Sequence, residues 1–297
     1  MKRKGIALLI TLMFVIVITV SLGYALTQVN NASDTLKQEK FLYQTSFIVE
    51  DVLRMLKNAP QVQEIVDSNS SESLGLLLTQ SMYIPLNLED TKLVLKISSA
   101  RSKFNPKNFT VKNLPIMKQY LNVNMVNSEY GDILFDAISG IKDDNSYNSR
   151  IFDENPNLFR DYIVSSAHLK QINNFYTKEY NDDALKNIDF DQLFCYGEDT
   201  NTSVDLNYAT AELWEMMTGT NKERASELQA NGFGAYASFE DLGLNTTELA
   251  SLKKFKTSFF EPILFIELDI QKDKNQAKIS FEYDIAQKKG SNFVYEI

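Results

Sequence analysis

The chain has 297 residues, 44% of them hydrophobic, and a formal net charge of −9 at pH 7. It contains one cysteine, Cys195, and one histidine, His168, which excludes an internal disulfide framework, a zinc site of Cys and His ligands, and any catalytic triad that does not use this histidine. The acidic balance argues against broad binding to the phosphate backbone of nucleic acids.

The first predicted element is an apolar segment directly after a basic N-terminus. Lys2, Arg3 and Lys4 precede it, and no charged residue occurs over 6–33. As a helix, the apolar stretch over 6–26 is long enough to cross the ~30 Å hydrocarbon core of a bilayer. By the positive-inside rule, the three cations hold the N-terminus in the cytoplasm. The sequence therefore predicts a single inner-membrane span with the rest of the chain in the periplasm.

Three interpretations of this N-terminus are open. In the first, the segment is a permanent anchor. In the second, it is a secretory signal peptide that ends near Ala25. In the third, the chain is cleaved after Gly5, the residue that follows the three cations. The third arrangement resembles the prepilin leader of type IV pilins and type II secretion pseudopilins. That resemblance implies a leader over 1–5, cleavage by prepilin peptidase between Gly5 and Ile6, N-methylation of Ile6, and a retained transmembrane and polymerisation helix over 6–28.

The next residues predict an amphipathic helix. From 34 to 57 no Pro or Gly occurs, and Pro60 marks the end of the helix. Its apolar residues recur mostly every three or four positions: Phe41, Ile48, Val49, Val52, Leu53 and Leu56. One continuous helix over 6–57 and two helices separated near Gly23 or Asn30 are both open. A soluble domain packed on the second half is the arrangement found in pilins.

One position departs from the general pilin pattern. Most pilins carry a glutamate at the fifth mature position, and counting from Ile6 this position is Ile10. An isoleucine cannot pair with the N-terminal amine of a neighbouring subunit. Among pseudopilins, the K subunit at the filament tip characteristically lacks this glutamate.

The rest of the chain predicts strands at both ends and helices between them. Period-two alternation indicates strands at Thr91–Ser98, Ser258–Ile270, Ala277–Ile285 and Asn292–Ile297, and Pro262 is expected at an edge or a bulge. The interval from Val111 to Lys256 predicts seven helices: Leu114–Val123, Tyr130–Ile138, Ser166–Tyr176, Asp183–Asn187, Thr210–Thr218, Lys222–Ala230 and Asn245–Phe255. Asn245 and Glu248 have the spacing of a capping box.

The fold class predicted from these elements is α+β. We expect a long N-terminal helix packed on a small antiparallel sheet, with a large all-α domain inserted into the α/β domain. The expected pilin-like α/β domain comprises 29–110 and 257–297, and the expected inserted helical domain comprises 111–256.

Three internal segments resemble, in the right order, the K pseudopilins (GspK-like) of type II secretion systems. The segment 100–109 is similar to that family's Gly-Arg-Phe-Asn-x-Asn segment, and 204–213 is similar to its Val-Asn-x-Asn-Thr-Ala-x-x-x-Leu signature. Asp205 and Tyr208 depart from the second pattern. The segment 258–260 is similar to Ser-x-Phe-Phe, shortened by one residue. The matching residues are Phe104, Asn105, Asn108 (one place late), Val204, Asn207, Ala209 and Leu213.

We predict structural roles for these motif residues. The short amides of Asn105, Asn108 and Asn207 are suited to capping helices and to satisfying the backbone groups of turns. Phe104 and Trp214 are expected to anchor local packing.

Acidic residues concentrate over 132–154, in a segment also rich in Asn and Ser. Ca²⁺ prefers six to eight oxygen ligands on flexible loops, and K pseudopilins are similar in carrying calcium in their inserted domain. No EF-hand spacing is present, so a calcium site and a solvated acidic loop are both open. The candidate ligands are Asp136, Asp143, Asp144, Asp153 and Glu154.

The resemblance implies a structural, non-enzymatic protein: a minor pseudopilin that caps or initiates the pseudopilus of a type II secretion system, which exports proteins across the outer membrane. The implied partners are the I- and J-type minor pseudopilins, the major pseudopilin, prepilin peptidase and the inner membrane; nucleic acid is expected only in a competence system. Two alternatives are a minor pilin of a competence pseudopilus for DNA uptake and a membrane-anchored periplasmic enzyme with a carboxylate site.

Overall fold

The computed structural model describes residues 39–81, 83–88, 91–144, 146–200, 202–272 and 275–296. The predicted leader at Gly5 and Ile6, the apolar segment 6–28 and the start of the amphipathic helix lie outside these residues. Within the described ranges, no helix combines the length and apolar character that a membrane crossing requires.

The first described helix, α1, covers 39–58 and is amphipathic, as predicted. Its buried stripe repeats every three or four residues and consists of Phe41, Thr45, Val49, Val52 and Leu56. The helix ends just before Ala59 and Pro60 because a proline has no backbone N–H to continue the hydrogen-bond pattern. Pro60 instead occupies the first position of the next helix, where that N–H is not needed.

Two helices that the sequence analysis did not identify follow α1. They are α2 (Pro60–Ser68) and α3 (Ser71–Ser81). The apolar residues Val62 and Ile65 of α2, and Leu74, Leu77 and Leu78 of α3, are buried together with the α1 stripe. The three helices therefore cover a shared apolar core.

This core is completed by a five-stranded antiparallel sheet. Its strands are β1 (Tyr83–Leu88), β2 (Thr91–Ser99), β5 (Ile263–Lys272), β6 (Asn275–Asp284) and β7 (Lys289–Glu296), and they lie in the order β1-β2-β5-β6-β7. The predicted strand at 91–98 and the predicted C-terminal antiparallel strands are confirmed. A short parallel pair, β3 (Val204–Asp205) with β4 (Thr257–Ser258), lies apart from this sheet.

Two details of the strand prediction are wrong. The strand predicted to begin at Ser258 begins at Ile263, directly after Pro262. This strand, β5, is not an edge strand, because it pairs with β2 on one side and β6 on the other. A proline within the ladder would lack a hydrogen-bond donor. Pro262 instead stays outside the ladder, where its carbonyl accepts from Ile285 N at 3.0 Å.

The sequence between β2 and β5 is mainly helical, as predicted. Its helices are α4 (Leu114–Val123), α5 (Glu129–Ala137), α6 (Ile151–Glu154), α7 (Ser166–Tyr180), α8 (Phe190–Leu193), α9 (Ala211–Thr218), α10 (Lys222–Asn231) and α11 (Thr246–Leu252). The predicted helix at 183–187 is a 3-10 turn over Ala184–Asn187. The capping box of Asn245 and Glu248 is present at the start of α11.

The described residues form two hydrophobic cores. The first combines α1–α3 with the sheet. The second lies within the helical interval and contains Trp214, which is completely buried, as expected. Phe104 and Phe109 also pack in the second core, so this core begins just after β2.

Candidate functional site: the junction between the two cores

The chain passes between the two cores twice, after β2 and before β5. The two passages lie side by side, because Ala100 N donates to Ile263 O at 2.9 Å. A third segment, which comes from the helical interval, lies against both. Its Asp205 N donates to Arg101 O at 2.9 Å, and its Leu206 N donates to Ser258 O at 2.9 Å. We call the segments 99–105, 203–210 and 256–263 the junction.

Phe104 fixes the first passage to the second core. Its backbone N donates to Leu193 O at 3.0 Å, and its carbonyl accepts from Cys195 N at 3.0 Å. Its ring is 2% exposed and packs at centroid distances of 4.7 Å from Phe109 and 5.5 Å from Phe255. The packing role predicted for Phe104 follows from these contacts.

Asn105 holds the loop before the junction's second segment. Its Oδ1 accepts from Lys107 N at 3.0 Å, and its Nδ2 donates to Gly197 O and Asp199 O, each at 3.1 Å. Asn108 acts on the same loop, where its Nδ2 donates to Thr202 Oγ1 at 2.9 Å. Both amides satisfy backbone and loop groups, which is how the sequence analysis interpreted them.

Asn207 joins two segments that are distant in sequence. Its Oδ1 accepts from Tyr236 N at 2.8 Å, while its Nδ2 donates to Tyr236 O at 2.9 Å and to Phe259 O at 2.7 Å. The residue is 1% exposed. Because one amide satisfies three buried backbone groups, the loop at Tyr236 and the passage at Phe259 depend on it.

Asp205 is a buried carboxylate at the centre of the junction. Its Oδ1 accepts from Asn207 N at 3.0 Å and its Oδ2 accepts from Glu261 N at 2.8 Å. Burial raises the pKa of Asp205 to about 6; the two backbone hydrogen bonds oppose this shift and the charge of Glu261 adds to it. The K pseudopilins that this sequence resembles have an asparagine at this position, so the ionisable side chain is a departure from their pattern.

A partly buried ion pair ties the first passage to the sheet. Arg101 Nη1 and Nη2 donate to Glu282 Oε1 and Oε2 of β6 at 2.9 and 3.0 Å. Burial works to lower the pKa of Arg101, but the hydrogen bonds and charge of Glu282 outweigh it and raise the pKa above its usual value. This two-point geometry fixes the direction in which the chain leaves β2.

The other motif residues lie in the second core. Val204, Ala209 and Leu213 are 3%, 0% and 0% exposed. The structure therefore brings all seven motif residues to the junction or its immediate surroundings. The sequence analysis missed Arg101–Glu282 and Glu261, because no local signal shows which distant residue completes such a contact.

The candidate calcium ligands are not brought together. Asp136 is fully buried, and its two oxygens accept four hydrogen bonds at 2.6–3.1 Å from the backbone and side chains of Asn148 and Ser149. Asp143, Asp144 and Asp153 are exposed, and Glu154 lies 3.7 Å from Lys178 Nζ. Among the described residues, no group of three or more acidic, histidine or cysteine side chains is arranged to hold a metal.

Asp136 therefore fits a protein-only role, since it anchors the 148–149 turn to α5 through bonds that leave its carboxylate without a free lone pair for a cation. Calcium binding by this chain stays a prediction, and the five carboxylates do not fit it as one set. Gly5 and Ile6 lie outside the described residues.

Comparison with known proteins gives a likeness of fold. No protein-family model matches the sequence, and no curated protein matches it. The fold is similar to a chain in the crystal structure of the GspK–GspI–GspJ complex from the type 2 secretion system of enterotoxigenic Escherichia coli. The TM-score is 0.51 at 11% identity, over 88% of this chain and 99% of that chain. The fold is therefore pseudopilin-like.

Proposed function

We propose that this protein is a minor pseudopilin of the K type, which caps or initiates the pseudopilus of a type II secretion system. The observation that carries the proposal is the pseudopilin-like fold, which extends over 99% of a chain from a complex of minor pseudopilins. The ordered motif residues support the K assignment, because all seven lie at or beside one junction. In this proposal the helical interval is a domain inserted between β2 and β5.

The position at a filament tip has a steric reason. The helical interval between β2 and β5 carries a hydrophobic core of its own. A domain of this size on every subunit does not fit a closely packed filament, whereas one copy at an end meets no such restriction. The proposed partners are the I- and J-type minor pseudopilins and the major pseudopilin, with prepilin peptidase acting at Gly5 and the N-terminal helix anchored in the inner membrane.

The exposed side of α1 offers the contact that assembly requires. Tyr43 and Phe47 lie one helical turn apart and are 71% and 62% exposed, opposite the buried stripe. Large exposed aromatics are unusual on a solvent-facing helix and are typical of protein contacts. We propose that this side packs against the helix of a neighbouring pseudopilin.

Phe47→Glu tests this contact. We expect the variant to keep its free energy of unfolding within about 0.5 kcal/mol, because the side chain is exposed. Its co-purification with the I- and J-type subunits should fall at least tenfold relative to the wild type, or about 1.4 kcal/mol. Leu76→Glu, which changes an exposed apolar residue of α3, is the matched control and should assemble normally. Equal assembly of Phe47→Glu and the wild type would contradict the proposed contact.

A minor pilin of a competence pseudopilus would have the same fold but would take part in DNA uptake instead of protein secretion. Comparing a deletion strain for protein secretion and for transformation separates the two. The alternative of an enzyme with a paired-carboxylate site gains no specific support from the pocket between α4, α9 and α11, where Glu215 is buried and Glu248 is engaged in the capping box of α11. The likeness in fold to a chain of a secretion-system complex favours a structural role, and this is the role that we propose.

A further inference from the structure

A pocket of about 220 Å³ lies where α4, α9 and α11 meet. It belongs neither to the junction nor to the proposed filament contact. Its polar lining includes Gln119 and Tyr120 from α4, Glu215 from α9 and Glu248 from α11. Sites for drug-sized ligands measure ~300–1,000 Å³, so this pocket suits a single group the size of a side chain.

Glu215 is the unusual residue of this pocket. It is only 6% exposed, yet its carboxylate makes no hydrogen bond or ion pair with any residue that the structure describes. Burial raises the pKa of this carboxyl group, the charge of Lys222 opposes the shift, and Glu212 adds to it. The carboxylate oxygens are not among the enclosed, unpartnered atoms of the described residues, so they stay open to the pocket that Glu215 lines, without an ion pair to a protein cation.

Neighbouring side chains add further polar atoms to the pocket. Tyr120 lines the same pocket as Glu215; burial raises the pKa of its hydroxyl, and the charge of Glu215 adds to the shift. One oxygen of Glu248 accepts from Asn245 N at 2.9 Å in the capping box, and its other oxygen remains an acceptor. The pocket thus presents carboxylate, amide and hydroxyl oxygens around a small volume.

We propose that this pocket binds an organic cation, with a guanidinium or primary ammonium head group paired to Glu215. A guanidinium is planar and donates two parallel hydrogen bonds to one carboxylate, which suits a site with a single buried acid. A metal ion fits less well, because Ca²⁺ needs six to eight oxygens and no described cluster of three metal-ligating side chains exists here. This inference goes beyond the filament role, which does not require it.

Methionine-methyl NMR of the full chain tests the site. Met216 lines this pocket, whereas Met55 lines a separate groove beside the end of α1, so the two signals serve as reporter and reference. A Met216→Leu variant identifies the reporter signal. Ethylguanidinium should shift the Met216 signal saturably, with a Kd of about 1 mM, and leave Met55 unchanged. Ethylurea, which has nearly the same shape without the charge, should not shift it.

Two variants assign the effect to one carboxylate. Glu215→Gln should weaken ethylguanidinium binding at least tenfold, while Glu212→Gln, one turn earlier and outside the pocket lining, should change it less than twofold. The methionine spectra of both variants show whether they are folded.

A blocked Gly-Arg-Gly peptide distinguishes the source of the cation. If the peptide binds more tightly than ethylguanidinium, the natural ligand is a basic side chain of a protein. If the two bind equally, the natural ligand is a free small molecule. Either result supports the site.

Three results would overturn the proposal. They are no saturable Met216 shift up to roughly 100 mM ethylguanidinium, equal shifts with ethylurea, and unchanged affinity in a folded Glu215→Gln variant. A Met216 shift with Ca²⁺ but not with ethylguanidinium would also overturn it, because the site would then bind a metal ion.

Discussion

At the residue scale, the ionisation of Asp205 affects how firmly the junction holds. Both of its oxygens accept backbone N–H groups, and the charged form is disfavoured by burial and by Glu261. A neutral asparagine occupies this position in the resembling family. The chain therefore has a pH-dependent contact between its two cores where the family pattern has none.

Asp205→Asn tests this dependence. The pKa of Asp205 is about 6 in the folded protein, against 3.8 for an aspartate side chain in water, so the folded state binds the proton more tightly. The contribution of this tighter proton binding to the free energy of unfolding is greatest below pH 4 and is lost as the pH rises through about 6. Relative to the variant, the wild type should lose up to about 3 kcal/mol of unfolding free energy between pH 4 and pH 7.5.

Urea unfolding at both pH values measures this difference. In Asp205→Asn, the side-chain NH2 group faces one of the two backbone N–H groups. This mismatch lowers the free energy of unfolding by about 1–3 kcal/mol at any pH. Only the pH-dependent part of the difference between variant and wild type is therefore diagnostic. Asp153→Asn, at an exposed site of α6, is the control and should leave the pH profile unchanged. A wild-type profile parallel to that of Asp205→Asn would rule out the raised pKa.

At the element scale, α3 touches the loop that follows α10. Gly234 has a φ of +90°, and a Cβ added to it would lie 2.3 Å from Ser71 O. Tyr208, another departure from the family pattern, donates its hydroxyl to the same Ser71 O at 3.3 Å. These contacts supplement the junction in holding the second core against the first.

Gly234→Ala should weaken this contact strongly. The substitution adds backbone strain of about 1–3 kcal/mol and a clash with a backbone carbonyl that cannot move aside as a side chain can. Gly243→Ala is the matched control, since its φ is +58° and the nearest atom is Nη2 of the Arg224 side chain at 3.4 Å, an ordinary contact distance. We expect about 1 kcal/mol of destabilisation for the control and at least twice that for Gly234→Ala. Equal unfolding midpoints for the two variants would contradict the close approach.

Sequence patterns predicted the long elements well because their signals are local. The end of α1 before Pro60, the span of α4 and the capping box of α11 depend on neighbouring residues. α3 was missed because its apolar run, SLGLLL, includes Gly75 and lacks a polar face of helical period, and β1 was missed because Pro85 lies within it. The central place of β5 depends on its partners β2 and β6, which no local pattern specifies.

The candidate site was predictable in part for the same reason. Asn105 and Asn207 were identified as residues that satisfy backbone groups, but their acceptors at Gly197 and Phe259 are distant in sequence. The interpretation of Asp136 as a calcium ligand did not anticipate that Asn148 and Ser149 would occupy its oxygens. The composition of an acidic segment shows which groups are available, and the fold determines which are already bound.

At the scale of the whole molecule, the proposed assembly connects three features. They are the pseudopilin-like fold, the exposed aromatics of α1, and a helical interval whose size suits the end of a filament. The proposal also requires that the apolar N-terminal segment remain on the mature protein, because this segment would place α1 beside the helices of its neighbours. Processing after Gly5 preserves that segment, whereas cleavage by signal peptidase removes it.

The mature N-terminus is the most direct test of this account. Mass spectrometry of the protein purified from its native membrane should find Ile6 as the first residue, with an N-methyl group, and Gly5→Ala should leave the leader attached. A mature chain that begins at Leu26 would contradict the account, because the segment proposed to anchor and polymerise the protein would be absent.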